Sequence, residues 1–490
     1  MEQKTALEKL WRMTKRYNRY IKVGLITIAA LVIAMLPNTA FGIEGLTDIQ
    51  QRVIAIFIWA ACMWIVEAVP AWTTSLLIIV TMLLTISDSG ISFLVEGYAK
   101  SELISYKTIM GTFANPTVML FMGGFILALV ASKSGIDISM ARAMLKPFGS
   151  RPKVVLFGFM LVTAIFSMFV SNTATAAMML TFLAPVLRQL PNTDKGTVAL
   201  ALAIPIGANI GGLATPIGTP PNGIALQYIN DVDGLNLGVD FGEWMMLMTP
   251  LMLAILVISW FLLRIMYPFT SKKVNLTILG GAKKGWRTYV IYGTLAVTIL
   301  LWMFEKVTGI NSYVVALFPI GVFALTRIIK SSDLKDIDWA CLWMVAGGFA
   351  LGEGMSKTGL ATALVNTIPF DTWPALLVML GGGLICWLLS QFISNSAATA
   401  LMVPIMVAVG TGMGPALGDF GGVGTLLVGV AMSASFAMSL PISTPPNAIA
   451  YSTGLIKTSQ MFRAGMIVGI ISLVLGYILV ITAGKFGYFG

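Results

Sequence analysis

Long apolar runs with few charged residues are the feature that most restricts what this chain can fold into. A helix needs roughly 20 apolar residues to cross a bilayer. Runs close to that length occur near residues 22–37, 52–69, 71–86, 113–131, 248–266, 289–304, 313–329, 339–355 and 464–483. We therefore predict an all-α polytopic membrane protein.

Composition supports this interpretation and excludes several classes of protein. Hydrophobic residues make up 57% of the 490 residues and charged residues only 11%, whereas soluble domains carry roughly 25% charge. Such a chain cannot cover a soluble surface, which excludes a soluble enzyme, a disordered chain and a secreted disulfide scaffold. The chain has no histidine, so histidine-ligated metals and histidine bases are excluded too. We expect no enzyme and no cofactor.

The charges between the runs predict the orientation in the membrane. The basic residues that give the net charge of +10 lie in the segments between apolar runs, as the positive-inside rule requires. The charge therefore does not indicate nucleic-acid binding. Segments 132–153 and 268–287 are basic and predicted to be cytoplasmic, whereas 231–243 is acidic and predicted to be external. Residues 1–48 are predicted to form a basic cytoplasmic N-terminus and the first span. Together these assignments predict about eleven transmembrane helices and an external C-terminus.

Three blocks of sequence occur twice, in the same order and at spacings of 224, 223 and 225 residues. The pairs are GGFILALVASKSG (123–135) with GGFALGEGMSKTG (347–359), FVSNTATAA (169–177) with FISNSAATA (392–400), and TPIGTPPN (215–222) with LPISTPPN (440–447). Small-residue packing motifs are common in membrane helices, but they do not explain TPPN twice. We infer an internal repeat.

Loop charges indicate that the two repeats have opposite orientations. The first SNT block follows the basic segment 132–153, whereas the second follows 356–373, which holds one lysine and one aspartate. Inverted repeats with a site at their interface are characteristic of secondary transporters. We predict repeat 1 at 49–267, a basic cytoplasmic linker at 268–287 and repeat 2 at 288–490.

Each repeat contains two apolar stretches that polar or proline residues interrupt. We predict hairpins at 154–190 and 374–409 and broken helices at 197–230 and 423–452. The apolar run before the first hairpin's polar tip is about 20 Å of helix, short of a full crossing, which favours a re-entrant hairpin. Loop charges do not separate a re-entrant hairpin from a spanning pair, because both leave the parity of crossings unchanged.

The interruptions carry the candidate binding groups. These are the hairpin tips Ser171-Asn172-Thr173 and Ser394-Asn395-Ser396, and the breaks at 219–222 and 444–447. Paired prolines break a helix and leave free helix ends that bind ions. The blocks hold no acidic or basic residue, so N–H, hydroxyl and amide groups would hold a carboxylate, and oxygens would hold sodium. Hydrogen bonds to neighbouring helices and simple kinks are the alternatives.

The paired motifs, with Glu-Ala-Val-Pro at 67–70, resemble the divalent anion:sodium symporter (DASS) family of di- and tricarboxylate transporters. The resemblance runs from about Ile49 to Gly484. It implies eleven spans, two opposed hairpins, two broken helices and a homodimer. It also implies a scaffold domain and a transport domain that moves as an elevator. Some family members exchange one dicarboxylate for another without sodium.

By position, the resemblance also implies site residues. Substrate contacts are implied at Ser171, Asn172, Thr173, Thr219, Pro220, Ser394, Asn395, Ser396, Thr444 and Pro445. Two sodium sites are implied, one at Ser167, Ser171, Asn172 and Gly218, the other at Ser390, Ile393, Asn395 and Ser443. Two residues depart from the family pattern: Ser396 replaces the usual threonine, and Ser443 replaces a usual small apolar residue.

We therefore predict a secondary active transporter of C4–C5 dicarboxylates such as succinate, malate, fumarate or 2-oxoglutarate, coupled to sodium by symport in the cell membrane. The open alternatives are a sodium-independent dicarboxylate exchanger and a transporter of citrate, sulfate or another anion. A channel or a membrane enzyme is disfavoured, because neither needs paired interrupted repeats. The expected partners are the substrate, the lipid bilayer and a second copy of the chain, but no nucleic acid.

Overall fold

The computed structural model describes residues 2–191, 193–231, 234–276, 280–282 and 285–489. These residues form helices and connecting turns, with no strand among them beyond an isolated bridge between Ser87 and Ile104. The α-helices, numbered along the chain, are α1 (Glu2–Met35), α2 (Asp48–Val66), α3 (Ala71–Thr85), α4 (Ser92–Val95), α5 (Tyr106–Gly111), α6 (Pro116–Ser134), α7 (Ile136–Leu145), α8 (Pro152–Ser167), α9 (Asn172–Leu187), α10 (Gly196–Gly212), α11 (Pro220–Ile229), α12 (Phe241–Met266), α13 (Trp286–Met303), α14 (Glu305–Thr308), α15 (Ser312–Val315), α16 (Leu317–Leu325), α17 (Trp339–Lys357), α18 (Leu360–Thr367), α19 (Ala375–Ser390), α20 (Asn395–Met413), α21 (Gly422–Ser435), α22 (Pro445–Ser452) and α23 (Thr458–Lys485). Short 3-10 helices lie at Asn38–Phe41, Thr112–Ala114, Lys146–Phe148, Ser331–Asp336, Phe370–Thr372 and Gly414–Phe420. The all-α prediction is confirmed.

Five helical segments of the described chain are long and apolar enough to cross a membrane. They are Asp48–Val66, Tyr106–Ser134, Phe241–Met266, Asn395–Phe420 and Thr458–Lys485. Several shorter apolar helices, of 10–17 residues, accompany them, among them α8, α9, α10, α19 and α21. Most helices of the interrupted stretches thus belong to the shorter class. The total of eleven spans stays a prediction.

The chain divides into two compact units. Unit 1 comprises Met1–Asn115, Ala340–Trp373 and Pro404–Met413, and unit 2 comprises Pro116–Trp339, Pro374–Val403 and Gly414–Gly490. Each unit contains segments of both predicted repeats. All the candidate site residues lie in unit 2.

Unit 1 is tied together by side-chain hydrogen bonds to distant backbone. α2 begins with a capping box, in which Thr47 and Gln50 each accept a hydrogen bond from the other's N–H. Gln50 Nε2 also donates to the carbonyl oxygen of Thr358 at 2.9 Å. Ser75 Oγ donates to the carbonyl oxygen of Met344 at 3.3 Å. Because buried amide and hydroxyl groups need partners, these bonds fix which helices meet.

Unit 2 is built around α10 and α21, the first halves of the two broken helices. Almost every residue of both is buried, as expected for helices that are apolar on all sides. α10 packs on α8 and α21 on α19, so each meets the first helix of its own repeat's hairpin. The second half of each broken helix packs on the first half of the other: α11 packs on α21, and α22 packs on α10. The packing pattern therefore occurs twice within unit 2.

The glycines that open the first repeated block mark close approaches between helices. A Cβ at Gly123 would stand 2.3 Å from the carbonyl oxygen of Ala316, within unit 2. A Cβ at Gly347, its counterpart, would stand 2.4 Å from the Cβ of Ser75, within unit 1. Only glycine fits at such contacts, which explains why this part of the block occurs in both repeats.

Candidate functional site

Both hairpins turn in four residues and restart with a capped helix. Tip 1 (residues 168–173) contains the turn at 168–171 that joins α8 to α9, and tip 2 (391–396) contains the turn at 391–394 that joins α19 to α20. The Ser171 hydroxyl accepts from the N–H of Ala174 at 3.3 Å, and the Ser394 hydroxyl from that of Ala397 at 3.2 Å. Each serine therefore occupies the N-cap position of the second helix.

Beyond these caps, the first two N–H groups of each second helix remain available. Those of Asn172 and Thr173 in α9, and of Asn395 and Ser396 in α20, have no acceptor in the described part of the chain. Free N–H groups at the positive end of a helix dipole favour an anion. The two tips thus offer two clusters of neutral anion donors.

An asparagine closes each broken helix. Break 1 (213–219) separates α10 from α11, and break 2 (436–444) separates α21 from α22. Asn222 Nδ2 donates to the carbonyl oxygens of Gly212 (2.9 Å), Leu213 (3.2 Å) and Thr215 (2.8 Å). Asn447 Nδ2 donates to those of Met438 (2.8 Å) and Leu440 (2.9 Å). The amide N–H groups of TPPN therefore satisfy carbonyls that the broken helix ladder frees.

A hydroxyl ties each tip to the break of the same repeat. In repeat 1, Thr215 Oγ1 donates to the carbonyl oxygen of Met168. In repeat 2, Ser443 Oγ donates to the carbonyl oxygen of Gln391 at 2.9 Å. Met168 and Gln391 are the first residues of their tips and correspond at the spacing of 223. We call these two contacts the tip braces.

The brace gives a structural reason for the departure at Ser443. Ser443 corresponds to Gly218, and Leu440 corresponds to Thr215, at the spacing of 225. The N–H of Gly218 donates to Thr215 Oγ1 at 3.0 Å, and the N–H of Leu440 donates to Ser443 Oγ at 3.0 Å. The bracing hydroxyl therefore stands at opposite ends of the same turn in the two repeats.

Three of the residues predicted for the first sodium site lie together. Ser167 is fully buried, and its Oγ is 2.5 Å from Asn172 Oδ1 and 2.8 Å from the carbonyl oxygen of Ala208. A Cβ at Gly212 would stand 2.7 Å from Asn172 Oδ1 and 3.0 Å from the carbonyl oxygen of Gly218. Oxygens of Ser167, Asn172 and Gly218 thus converge beside a glycine. Neutral oxygens of this kind suit sodium.

The corresponding groups of repeat 2 lack partners. Ser390 Oγ and Asn395 Oδ1 are both buried and make no hydrogen bond in the described part of the chain. Ile393 between them is 1% exposed. A buried oxygen without a donor costs about 1–3 kcal/mol, which a cation would offset. The described residues hold no cluster of three His, Cys, Asp or Glu side chains suited to a metal ion, so neutral oxygens would have to suffice.

The two threonines of the breaks share their burial but differ in hydrogen bonding. Thr219 and Thr444 are each 4% exposed. Thr444 Oγ1 accepts from the N–H of Asn447 at 3.3 Å and from Nδ2 of Asn209 at 3.1 Å. The Thr219 side chain makes no capping bond. Among the described residues, Asn209 and Asn447 therefore orient the hydroxyl of Thr444, whereas that of Thr219 has no such contact.

The remaining predicted residues differ in exposure. Thr173 and Pro445 are exposed, Pro220 is half-buried and Ser396 is buried. Ser171 lines a cavity of about 190 Å³ beside tip 1. Asn209, Thr215 and Gln391 contribute to the site but were not predicted from the sequence. Asn209 is the only hydrogen-bonding side chain between Thr197 and Thr215, and that isolation in an apolar run is the signal that could have revealed it.

Comparisons with known proteins agree with this architecture. A sodium-dependent dicarboxylate transporter, SdcS of Staphylococcus saprophyticus, is 28% identical over 94% of this chain and 91% of its own. SdcS of Staphylococcus aureus strain USA300 is also 28% identical, over 88% of this chain and 86% of its own.

Two solved transporters share the fold. The YdaH transporter of Alcanivorax borkumensis superposes with a TM-score of 0.57 at 14% identity, over 86% of this chain and 99% of its own. MtrF of Neisseria gonorrhoeae superposes with a TM-score of 0.51 at 12% identity, over 84% of this chain and 94% of its own.

The family profile for citrate transporters (CitMHS) matches residues 55–419, about three quarters of the sequence. The prediction of a multi-pass membrane transporter rather than an enzyme is therefore confirmed. The chain belongs to the citrate transporter family.

Proposed function

We propose that the protein is a secondary active transporter that carries C4–C5 dicarboxylates across the cell membrane together with sodium. The observation that carries this proposal is the pair of interrupted half-sites in unit 2. We define the repeat 1 half-site as tip 1, break 1 and the residues bonded to them, and the repeat 2 half-site as tip 2, break 2 and theirs. The two Staphylococcus relatives, both named as sodium-dependent dicarboxylate transporters, support the choice of substrate and ion.

The chemistry of the half-sites favours a dicarboxylate. Each tip presents a cluster of free N–H groups, at Asn172 and Thr173 or at Asn395 and Ser396, and each break adds a threonine hydroxyl. Two such clusters suit a molecule with one carboxylate at each end. A hydrogen bond to a charged group contributes about 1.5–3 kcal/mol. A third carboxylate without donors would lose hydration uncompensated.

Sodium coupling rests on the oxygens beside those donors. Repeat 1 gathers oxygens of Ser167, Asn172 and Gly218, and repeat 2 leaves Ser390 Oγ and Asn395 Oδ1 unsatisfied. Because Asn172 and Asn395 supply both an N–H to the anion and an oxygen to the cation, each ion would organise the residue that the other needs. That shared use would link the two affinities.

The proposal also includes inverted repeats, re-entrant hairpins, a homodimer and an elevator movement of the transport domain. The tip braces join each hairpin to its broken helix, and Asn209 joins α10 to α22. These contacts would let the tips and breaks move as one body. We place the N-terminus and residues 132–153 in the cytoplasm and the C-terminus outside.

That orientation is tested by labelling single cysteines in a cysteine-free background. A cysteine at Lys146 should react only from the cytoplasmic side and one at Asn236 only from outside, both residues being exposed. Labelling of Lys146→Cys in intact cells would contradict the inverted arrangement.

Two alternatives are separated from sodium symport by one transport experiment. Purified protein in proteoliposomes is given labelled succinate, with the lumen empty or loaded with succinate, each with and without sodium. Symport requires uptake into empty vesicles that depends on a sodium gradient. Uptake that needs internal succinate and ignores sodium would establish exchange. The family name makes citrate the second substrate to test, and uptake of citrate but no dicarboxylate would refute the substrate assignment.

A further inference from the structure

Asn209 lies at the centre of unit 2 and contacts the TPPN motif of the opposite repeat. It is on α10 in repeat 1, is 1% exposed, and is 235 residues from Thr444 in sequence. Its Nδ2 donates to Thr444 Oγ1 and to Asn447 Oδ1, both at 3.1 Å. The preceding residue, Ala208, accepts the hydroxyl of Ser167 in the repeat 1 half-site. Two consecutive residues of α10 therefore touch both half-sites.

The orientation of the Asn209 amide follows from its neighbours. Asn447 uses its Nδ2 group on the carbonyl oxygens of Met438 and Leu440. Its Oδ1 atom must therefore face Asn209, and only the NH₂ end of Asn209 can meet an oxygen there. The second hydrogen of that NH₂ group points to Thr444.

This arrangement fixes the role of the Thr444 hydroxyl. Its oxygen already accepts from Asn209 Nδ2 and from the N–H of Asn447. A hydroxyl has two acceptor lone pairs and one donor hydrogen, so the remaining group is the hydrogen. That hydrogen has no acceptor among the described residues. Thr444 is thus set as a donor before any ligand arrives.

The described part of repeat 1 has no equivalent of this contact. The counterpart of Asn209 at the spacing of 225 is Ala434 on α21. Asn222, the counterpart of Asn447, has a buried Oδ1 without a partner in the described chain. The orienting amide is therefore specific to break 2.

We propose that Asn209 is a positioning residue that holds the Thr444 hydroxyl as an oriented donor for one carboxylate of the substrate. The inference rests on the proposed function, since it takes Thr444 as a substrate contact. Asn209 itself touches no substrate. Without it the Thr444 hydroxyl can rotate and donate elsewhere, and Asn447 Oδ1 loses its donor.

The test is a double-mutant cycle in proteoliposomes with Asn209→Ala, Thr444→Val and both together. Each single change should raise the succinate concentration for half-maximal uptake about tenfold, the loss expected for one hydrogen bond to a charged group. The double variant should also lose about tenfold, because both changes remove the same donor. A loss of about a hundredfold in the double variant would show independent action and overturn the proposal.

A second measurement separates positioning from general loosening. Competition by succinate is compared with competition by butyrate, which has one carboxylate. Asn209→Ala should lower the preference for succinate over butyrate about tenfold, because only a two-ended ligand needs both clusters. An unchanged preference with uniformly weaker uptake would mean a structural role only. Thr163→Val is the matched control: Thr163 is fully buried, and among the described residues its hydroxyl donates to the carbonyl oxygen of Phe159 in its own helix and to no other group.

Failure of the proposed function has a separate signature. If the wild type transports citrate but no dicarboxylate, the cycle is repeated with citrate, and sub-additivity there decides the inference. If it transports neither, the proposed function is wrong, and the unfolding temperatures of the same three variants are compared without ligand. If the two single changes then lower the unfolding temperature additively, the hydrogen bond between Asn209 and Thr444 is contradicted as well.

Should Asn209→Ala fail to fold, Asn209→Ser takes its place, because serine offers one donor and should retain part of the affinity.

Discussion

The two half-sites have nearly the same motifs but satisfy their polar atoms differently. In repeat 1, Ser167 bonds to Asn172, whereas the corresponding Ser390 Oγ and Asn395 Oδ1 have no partner in the described chain. At the breaks the pattern is reversed. Asn447 Oδ1 accepts from Asn209, whereas Asn222 Oδ1 has no partner among the residues that the structure describes.

This contrast teaches that a repeated sequence need not give a repeated pattern of hydrogen bonds. Repeat 1 has a preformed cluster of oxygens at its tip, and at its break the Thr219 hydroxyl has no orienting contact among the described residues. Repeat 2 has buried tip oxygens without a partner among the described residues, and at its break the Thr444 hydroxyl is oriented by Asn209 and Asn447. We infer that repeat 1 contributes more to preformed cation binding and repeat 2 more to anion orientation. The following predictions test where the two half-sites should differ and where they should behave alike.

The largest effects are expected at the tip asparagines. Asn172→Ala and Asn395→Ala should each reduce transport at least about a hundredfold, because each removes an oxygen proposed to bind sodium and an amide beside the substrate. Uptake of labelled succinate in proteoliposomes is the measurement. Asn236→Ala, in an exposed loop, is the control and should transport normally. Wild-type uptake by either tip variant would show that its tip is structural.

Much of the fold could be predicted because its determinants are local. Apolar run length predicted the all-α membrane class, and the prolines of TPPN stand at the points where α11 and α22 begin. The repeated serine and asparagine pairs stand where the hairpins turn. Each of these features depends on a few neighbouring residues.

The remaining part depends on contacts between distant residues. The partner of Asn209 is 235 residues away, and no spacing rule indicates it. Ser443 was interpreted as a sodium ligand, and that remains a prediction, but its hydroxyl is occupied by the tip brace. The same brace starts from Thr215 in repeat 1. The bracing hydroxyl lies three positions later in repeat 2 than in repeat 1. A position-by-position comparison of the two motifs therefore does not reveal the shared contact.

The break threonines should differ in their contribution to substrate affinity. Thr444→Val should raise the half-maximal succinate concentration about tenfold and Thr219→Val about threefold. An unoriented hydroxyl loses rotational freedom when it binds, which offsets part of its hydrogen bond. Concentration dependence of initial uptake rates measures both. Equal effects would remove the asymmetry proposed for the breaks.

The buried serines before the tips should separate stability from sodium dependence. Ser167→Ala loses its bonds to Asn172 and Ala208 and should lower stability by about 1 kcal/mol without sodium. Ser390→Ala loses no hydrogen bond and should melt like the wild type without sodium. Both should require about fivefold more sodium for half-maximal uptake. Thermal unfolding with sodium or choline chloride gives the comparison, and a sodium-free destabilisation of Ser390→Ala would contradict it.

The smallest effects on transport are expected at the tip braces, where the two repeats should behave alike. Thr215→Val and Ser443→Ala each remove one hydroxyl that holds a tip to its break. Each hydroxyl also accepts a backbone N–H, from Gly218 or from Leu440. Each change should therefore lower stability by about 2 kcal/mol, the net contribution of two hydrogen bonds. If sodium is bound by the backbone oxygen at Ser443, as proposed for Gly218, the sodium requirement of Ser443→Ala should stay within about twofold of the wild type. A sodium requirement raised as far as that of Ser390→Ala, with unchanged melting, would instead make the Ser443 hydroxyl a sodium ligand. The two half-sites would then differ in their cation ligands as well as in their hydrogen bonds.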